Sequence, residues 1–165
     1  MTNPEISQLL PILQQNGFVT QLLPASNEFP NEQLFVALGT EHKYQTWKLE
    51  MLLLPGVDDP PLLQLFLLLP LEVRETAILN LVSVIVYLND RLPLPGFGFN
   101  WQDGIIYYRL IVPCPNQELD GEAILGTIRM ICYLVDEFVE ILEDVAQGNK
   151  NQEQGMQAIE QKIAG

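Results

Sequence analysis

The sequence contains a single histidine, His42, and triad chemistry would need a nucleophile and an orienting acid close to it in space. His42 lies between two charged residues in a short segment that separates two predicted strands. Ser7, Ser26 and Ser83 lie in none of the Gly-x-Ser-x-Gly turns that present a nucleophile above a sheet. We therefore interpret His42 as a solvated loop residue, and we expect no catalytic site and no enzyme activity.

Two further segments match ligand-binding motifs only in part. Gly96-Phe97-Gly98 matches the first half of the dinucleotide-binding motif Gly-x-Gly-x-x-Gly, but Trp101 occupies the position of the third glycine. The motif also requires a helix directly after it, whereas a strand is predicted here. Asp58-Asp59 supplies adjacent carboxylates among prolines, whereas calcium loops place oxygen ligands at several spaced positions. We interpret both segments as turns, and we predict neither a cofactor nor a metal ion.

The two cysteines, Cys114 and Cys132, have no Cys-x-x-Cys spacing, which argues against a disulfide framework or a zinc site. Cys132 lies on an apolar helical stripe and is interpreted as a small core residue. Cys114 lies between two prolines, so we expect that it could be exposed. Both are predicted to be inert thiols.

Acidic residues crowd one side of the last long predicted helix. Their spacings of three, four and seven bring several of them together on one face. A solvated face is the simpler interpretation, but such a cluster could also attract a basic segment of a partner and raise its association rate. The cluster contains Asp136, Glu137, Glu140, Glu143 and Asp144, and the last four are candidate partner-binding residues.

The chain is strongly acidic, with a net charge of −13 over 165 residues. Its eight basic residues are scattered, so no basic patch is predicted to bind nucleic acid or an anionic membrane. No apolar run is long enough to predict a transmembrane helix, and the first ten residues lack the positive start of a signal peptide. We therefore expect a cytoplasmic protein.

Periodicity predicts the elements of the first half. Asn3-Pro4-Glu5 is typical of a helix start, Asn16-Gly17 of a stop, and Pro11 must kink this helix or delay its true beginning. Strands are predicted at Phe18–Leu23, Leu34–Leu38, Tyr44–Leu54 and Leu62–Leu69. The fourth is almost wholly apolar, which favours a central strand covered on both faces.

The second half is predicted to contain two long helices around a hairpin. The helices are Leu71–Arg91, which is apolar around most of its circumference, and Asp120–Gln147. The hairpin joins Phe97–Trp101 to Ile105–Val112 through Gln102-Asp103-Gly104. After residue 148 the chain is polar, and Met156, Ile159 and Ile163 predict one weak amphipathic helix.

These elements predict one α+β domain over residues 1–148 and a polar tail over 149–165. The expected order is α-β-β-β-α-β-β-α, with helices packed on a mostly antiparallel sheet of about five strands. Phe97, Phe99 and Trp101 should share one sheet face, and Tyr107 should share a face with Arg109. Most of these aromatic residues should be core. If one face were left without helices, its aromatic residues would form a binding surface.

The middle of the chain carries a distinctive series of segments: Leu88-Asn89-Asp90-Arg91-Leu92, Pro95-Gly96-Phe97-Gly98-Phe99, Asp103-Gly104 and Tyr107-Tyr108-Arg109. In these segments the chain resembles the YbjN-like family of bacterial sensory transduction regulators, which has a type III secretion chaperone-like fold. The resemblance implies a chaperone-like domain that forms dimers, and the family supplies no catalytic residues. The prolines at 55–61 and 93–95 and the segment after Gly148 depart from the family pattern.

The sequence favours a protein-binding domain, either chaperone-like or a regulatory adaptor, over a small-molecule sensor or an enzyme. A sensor would need a closed pocket between sheet and helices, and an enzyme would need perturbed acids or His42 in a cleft. In the predicted helix Leu71–Arg91, Val84 or Val86 should face away from the core. A second copy of the chain commonly covers such an apolar side, so we predict a homodimer through this helix or the sheet edge beside it. The remaining candidate partner-binding residues are Phe97, Phe99, Trp101 and Tyr107.

Overall fold

Six segments with apolar residues at alternate positions form one antiparallel sheet in the computed structural model, which describes residues 4–39, 46–54 and 60–165. The strands are β1 (Val19–Leu23), β2 (Gln33–Gly39), β3 (Thr46–Leu54), β4 (Leu62–Leu69), β5 (Phe97–Asn100) and β6 (Ile105–Pro113). Their order is β1-β2-β3-β4-β6-β5, so β1 and β5 are the edges. The α+β class is confirmed. The described sheet has six strands, close to the expected five, and four of them precede the second helix, where the expected order had three.

Four helices accompany the sheet in the described residues: α1 (Leu10–Gln15), α2 (Ile78–Asn89), α3 (Gly121–Ala146) and α4 (Gln152–Ala164). Pro11 lies in the first turn of α1, behind a 3-10 turn, so the predicted delay of this helix is confirmed. None of these helices combines the length and hydropathy needed to cross a bilayer.

Helix α2 begins seven residues later than predicted, and a tertiary contact accounts for the difference. Arg74 has an extended backbone, and its N–H donates to the carbonyl of Ala146 at 2.9 Å. This bond ties the segment before α2 to the end of α3. A helix that began at Leu71 would use the same N–H internally, so the prediction from local periodicity was wrong here.

The core lies between the helices and one face of the sheet. Val36, Leu49, Leu67 and Tyr108 are cross-strand partners in one continuous row, and all four are buried. Alternate side chains point the other way, towards the face that no described helix covers. The prediction that β4 is covered on both faces is therefore wrong, because its second face includes the exposed Leu68.

Helix α4 packs against α2 and α3 and completes the core. Asn151 and Gln154 form a capping box, in which each side chain accepts a backbone N–H of the other residue at 2.9 Å. Ile159 is buried, Met156 is partly buried and Ile163 is exposed. The segment after residue 148 therefore supplies a core side chain in addition to its polar surface.

The predicted hairpin is present between β5 and β6. Gly104 has a φ of +68°, and its N–H donates to the carbonyl of Asn100 at 2.8 Å. The side-chain oxygen of Asn100 accepts the N–H groups of Gln102 and Asp103 at 2.9 and 3.3 Å. The turn therefore has four residues, with the glycine in the left-handed position that a side chain would strain.

Candidate functional site

The side of the sheet that no described helix covers presents apolar side chains from all but one of its six strands, and we call it the open face. Its apolar members are Val19, Leu23, Phe35, Leu52, Leu54, Leu62, Phe66, Leu68, Ile105, Tyr107 and Ile111. Its main polar members are Gln21, Gln33, Lys48, Glu50, Gln64 and Arg109. All of these residues are partly buried or exposed, whereas the residues that alternate with them in the central strands are mostly buried.

Aromatic rings occupy the centre of the open face. Phe66 stacks on Tyr107 with ring centroids 5.5 Å apart and an interplanar angle of 29°. On the neighbouring strands β2 and β3, the Nζ of Lys48 lies 3.8 Å from the ring centroid of Phe35, within the range of a cation–π contact. Phe35, Lys48, Phe66 and Leu68 help to line a shallow depression of about 370 Å³. The centre is therefore an aromatic surface with a cation lying on it.

The net charge of the open face is opposite in sign to that of the whole chain. Among the described residues of this face, Lys48 and Arg109 are the cations and Glu50 is the carboxylate, which sums to one net positive charge on a chain of −13. Glu50 accepts from Gln33 at 2.9 Å, and Arg109 donates to Gln64 at 2.8 Å. Neither cation forms an ion pair with a carboxylate of the described residues. The contacts that they do make are with neutral groups, the ring of Phe35 for Lys48 and the amide oxygen of Gln64 for Arg109.

The structure separates the hydrophobic candidates that the sequence grouped together. Tyr107 lies on the open face, but Phe97 is buried and meets the ring of Tyr108 edge-on at 5.0 Å. Phe99 is partly buried on the helical side, and Trp101 lies beyond the strand in the turn with 62% of its surface exposed. The interpretation of Phe97 as a partner-binding residue is therefore wrong, since its side chain is part of the core.

The two valines of α2 also differ from each other. Val84 is fully buried, because Gly155 of α4 lies so close that an added Cβ would be 2.9 Å from a Val84 methyl group. The expectation of Val84 as an exposed contact was therefore wrong. Val86 is 64% exposed and lies on the same helix as Leu79, which is 74% exposed. These two residues form a second, smaller apolar surface in the helical layer.

The acidic candidates lie in the helical layer and are partly paired. Glu137 lies 3.4 Å from Lys162, and Asp144 pairs with Lys150. Glu143 accepts from the side chain of Gln147 at 3.3 Å, and Glu140 is exposed. Because α3 belongs to the helical layer, this cluster and the open face lie on opposite sides of the sheet.

Burial explains the chemistry of both thiols. Cys114 is buried, so its predicted exposure is wrong, and burial raises the pKa of its thiol above the usual value. Burial, followed by the charge of Asp136, raises the pKa of Cys132 to about 11. At neutral pH both sulfurs are therefore protonated and poorly nucleophilic.

Within residues 4–39, 46–54 and 60–165, no group of three His, Cys, Asp or Glu residues could hold a metal ion. His42, Asp58 and Asp59 lie outside these ranges.

Two clefts in the helical layer bear on ligand binding. One of about 380 Å³ lies between the end of β6 and the start of α3, next to Asn116 and Gln117, which have positive φ angles of 59° and 57°. The other, of about 830 Å³, is an open groove between α2 and α4. One of its walls carries Tyr87, which donates to Glu160 and lies beneath the guanidinium of Arg91.

Sequence reasoning missed Phe35, Phe66, Leu68 and Ile111, which form much of the open face. One signal was present: Lys48 and Glu50 alternate with buried residues in β3 and show that this side of the strand meets water. The cross-strand register places Glu50 beside Phe35 and Phe66, and no local pattern contains that pairing.

Comparisons of the chain with protein-family models, with curated proteins and with solved structures give no match. The resemblance to the YbjN-like family therefore stays a prediction that depends on the residues quoted for it. Function has to be argued from the surfaces of this chain.

Proposed function

We propose that this chain is a protein-binding domain, chaperone-like or a regulatory adaptor, that holds an apolar segment of another protein on its open face. The observation that carries the proposal is the uncovered apolar sheet surface, on which Leu68 is 42% and Ile111 is 38% exposed. Single exposed apolar residues are ordinary, but contiguous patches mark interaction sites. In this patch the apolar residues extend across neighbouring strands.

The composition and rigidity of the open face support the same proposal. Protein interfaces are enriched in aromatic residues and in arginine, and Tyr107, Phe66 and Arg109 lie beside one another on β4 and β6. Strands β2, β3, β4 and β6 are each paired on both sides, so this surface is ordered before a partner arrives. An ordered surface loses less conformational entropy on binding, which strengthens the complex.

The alternative is a small-molecule sensor, and the cleft between β6 and α3 favours it. Its volume of about 380 Å³ falls within the range of roughly 300–1,000 Å³ that is usual for ligand pockets. Asn116 and Gln117 hold strained backbone angles beside it, and such strain tends to collect at functional sites. The open face extends over neighbouring strands, and the aromatic residues at its centre favour a protein partner.

Peptide display tests the proposal because it samples many candidate segments at once. Random 20-residue peptides would be selected on the immobilised chain and then assayed on a Leu68→Gln/Ile111→Gln variant. Both residues are exposed on the open face, so the variant should fold. We expect enriched peptides to lose at least about tenfold in affinity for it, because two apolar contacts of the kind that anchor interfaces are removed.

Leu79→Gln/Val86→Gln is the matched control, since it removes two exposed apolar residues from the helical layer instead. The enriched peptides should bind this control as they bind the unchanged chain. Peptides that lose affinity only for the α2 control would place the binding surface on α2. Selection that yields no peptide sensitive to the open-face variant would contradict the proposed function.

A further inference from the structure

We propose that the segment held on the open face is an amphipathic α-helix with acidic residues along the margins of its apolar stripe. This inference rests on the proposed function and adds the conformation and the charge of the partner. Two independent features of the open face carry it: the pairing of its strands and the position of its two cations.

The pairing of the strands determines the conformation. The centre of the open face belongs to β2, β3, β4 and β6, and each of these strands already has a hydrogen-bonded neighbour on both sides. An extended segment laid across them would bury its own N–H and C=O groups without partners, which is unfavourable. A helix satisfies these groups internally and presents only side chains, as in other helix-and-groove complexes. An extended segment would instead pair at an edge strand, such as β1.

The cations determine the charge of the partner. Lys48 and Arg109 have no carboxylate partner among the described residues, while the chain as a whole carries a charge of −13. A basic segment would be drawn to the acidic helical layer. The open face is where an acidic segment meets the least repulsion and finds two positive charges. Glu50, the one carboxylate in the described part of this face, accepts a hydrogen bond from Gln33.

The positions of the two cations also set a spacing. Lys48 is on β3 and Arg109 is on β6, with β4 between them. At about 4.8 Å between strands and 3.4 Å per residue, their Cα atoms are about 12 Å apart. A helix rises about 1.5 Å per residue, so acidic residues seven or eight positions apart would reach both cations from one side of the helix. Phe66 and Leu68 lie on β4 between the cations, where the apolar stripe would pack.

Three synthetic peptides with blocked ends provide the probes. The first has 18 residues, with Leu and Phe at helical spacing and Glu on both margins of that stripe. The second replaces every Glu with Lys. The third has the composition of the first, but its apolar and acidic residues alternate with the period of a strand. Their binding to the whole chain would be measured by fluorescence anisotropy at low and at physiological salt.

We expect the Glu helix to bind at least about tenfold more tightly than either other peptide, with a preference that salt reduces. In Lys48→Glu/Arg109→Glu the preference for Glu over Lys should disappear or reverse. Arg74→Glu/Arg129→Glu is the matched control, because it makes the same charge change at two cations of the helical layer, and it should keep the preference. Equal binding of the Lys helix, or tighter binding of the alternating peptide, would overturn the proposal.

Peptides from the display selection separate this inference from the proposed function. If peptides that depend on Leu68 and Ile111 have helical apolar spacing and excess acid, the inference is supported even where the designed peptides bind weakly. If those peptides alternate like strands or are basic, the partner is different: protein binding on the open face stands and this inference fails. If no peptide depends on Leu68 and Ile111, both fail.

Discussion

Asn89 shows what the residues of the family resemblance do at the scale of a single side chain. Its amide nitrogen donates to the carbonyl of Phe97 at 2.7 Å, and its oxygen accepts the N–H groups of Gly96 and Phe97 at 3.2 and 3.1 Å. An added Cβ at Gly96 would lie 2.6 Å from the ring of Tyr108. Asn89 and Gly96 therefore join the end of α2 to the hairpin and stabilise the fold, whereas Tyr107 and Arg109 of the same resemblance lie on the open face.

Gly104 provides a test of backbone strain. An added Cβ would meet nothing within 4 Å there, but φ is +68°, so Gly104→Val should lower the free energy of unfolding by about 1–2 kcal/mol through strain alone. Gly39→Val is the control, because Gly39 is equally open and has no positive φ. Urea denaturation measures both, and an unchanged midpoint for Gly104→Val would contradict the turn geometry.

Tyr108 predicts a loss of stability at alkaline pH. Burial raises its pKa to about 12, against about 10 in an unfolded chain. Between these values the unfolded state loses the phenolic proton first, so the folded state binds more protons and stability falls as pH rises from 10 to 12. The stability advantage of the unchanged chain over Tyr108→Phe should shrink by about 1 kcal/mol between pH 9 and pH 11. Urea midpoints at both values measure it, and a constant difference would contradict the prediction.

At the scale of elements, α4 determines how much of α2 reaches water. The helix packs across α2 through Gly155, where an added Cβ would lie 2.8 Å from Val145 and 2.9 Å from Val84. Gly155→Leu should therefore lower the free energy of unfolding by about 1–3 kcal/mol, even though leucine favours a helix by up to about 1 kcal/mol over glycine. Gln157→Leu places the same side chain on the exposed side of α4 and should change stability by less than about 0.5 kcal/mol. Equal urea midpoints for the two variants would contradict this packing.

At the scale of the whole molecule, the predicted homodimer interface on α2 can include Val86, which is exposed, but not Val84, which is buried. Because Val84 is buried, a glutamate there would unfold the chain and reveal nothing about association. Leu79→Glu/Val86→Glu is the better variant, since both side chains are exposed on α2. We expect the unchanged chain to form dimers at tens of micromolar and this variant to form monomers, as measured by light scattering. Monomers of the unchanged chain would contradict the homodimer.

The sequence by itself determined most elements of this protein. Short apolar runs located β2 and β4 to within a residue at each end, Asp103-Gly104 located the hairpin, and one continuous stripe predicted α3 to within a residue at each end. These signals are local: a turn needs its glycine, and a helix repeats its apolar residues every third or fourth position. They can be read from a short window, whatever packs against the element.

Only the tertiary structure decided which surfaces are covered. Both sets of alternate residues in β4 are largely apolar, so its pattern is the same whether helices lie on two faces or on one. Val84 and Val86 are only two positions apart on α2, yet Gly155, some seventy residues later, buries the first and leaves the second exposed. Burial depends on where distant segments pack, and that information is carried by the whole chain and not by any window of it.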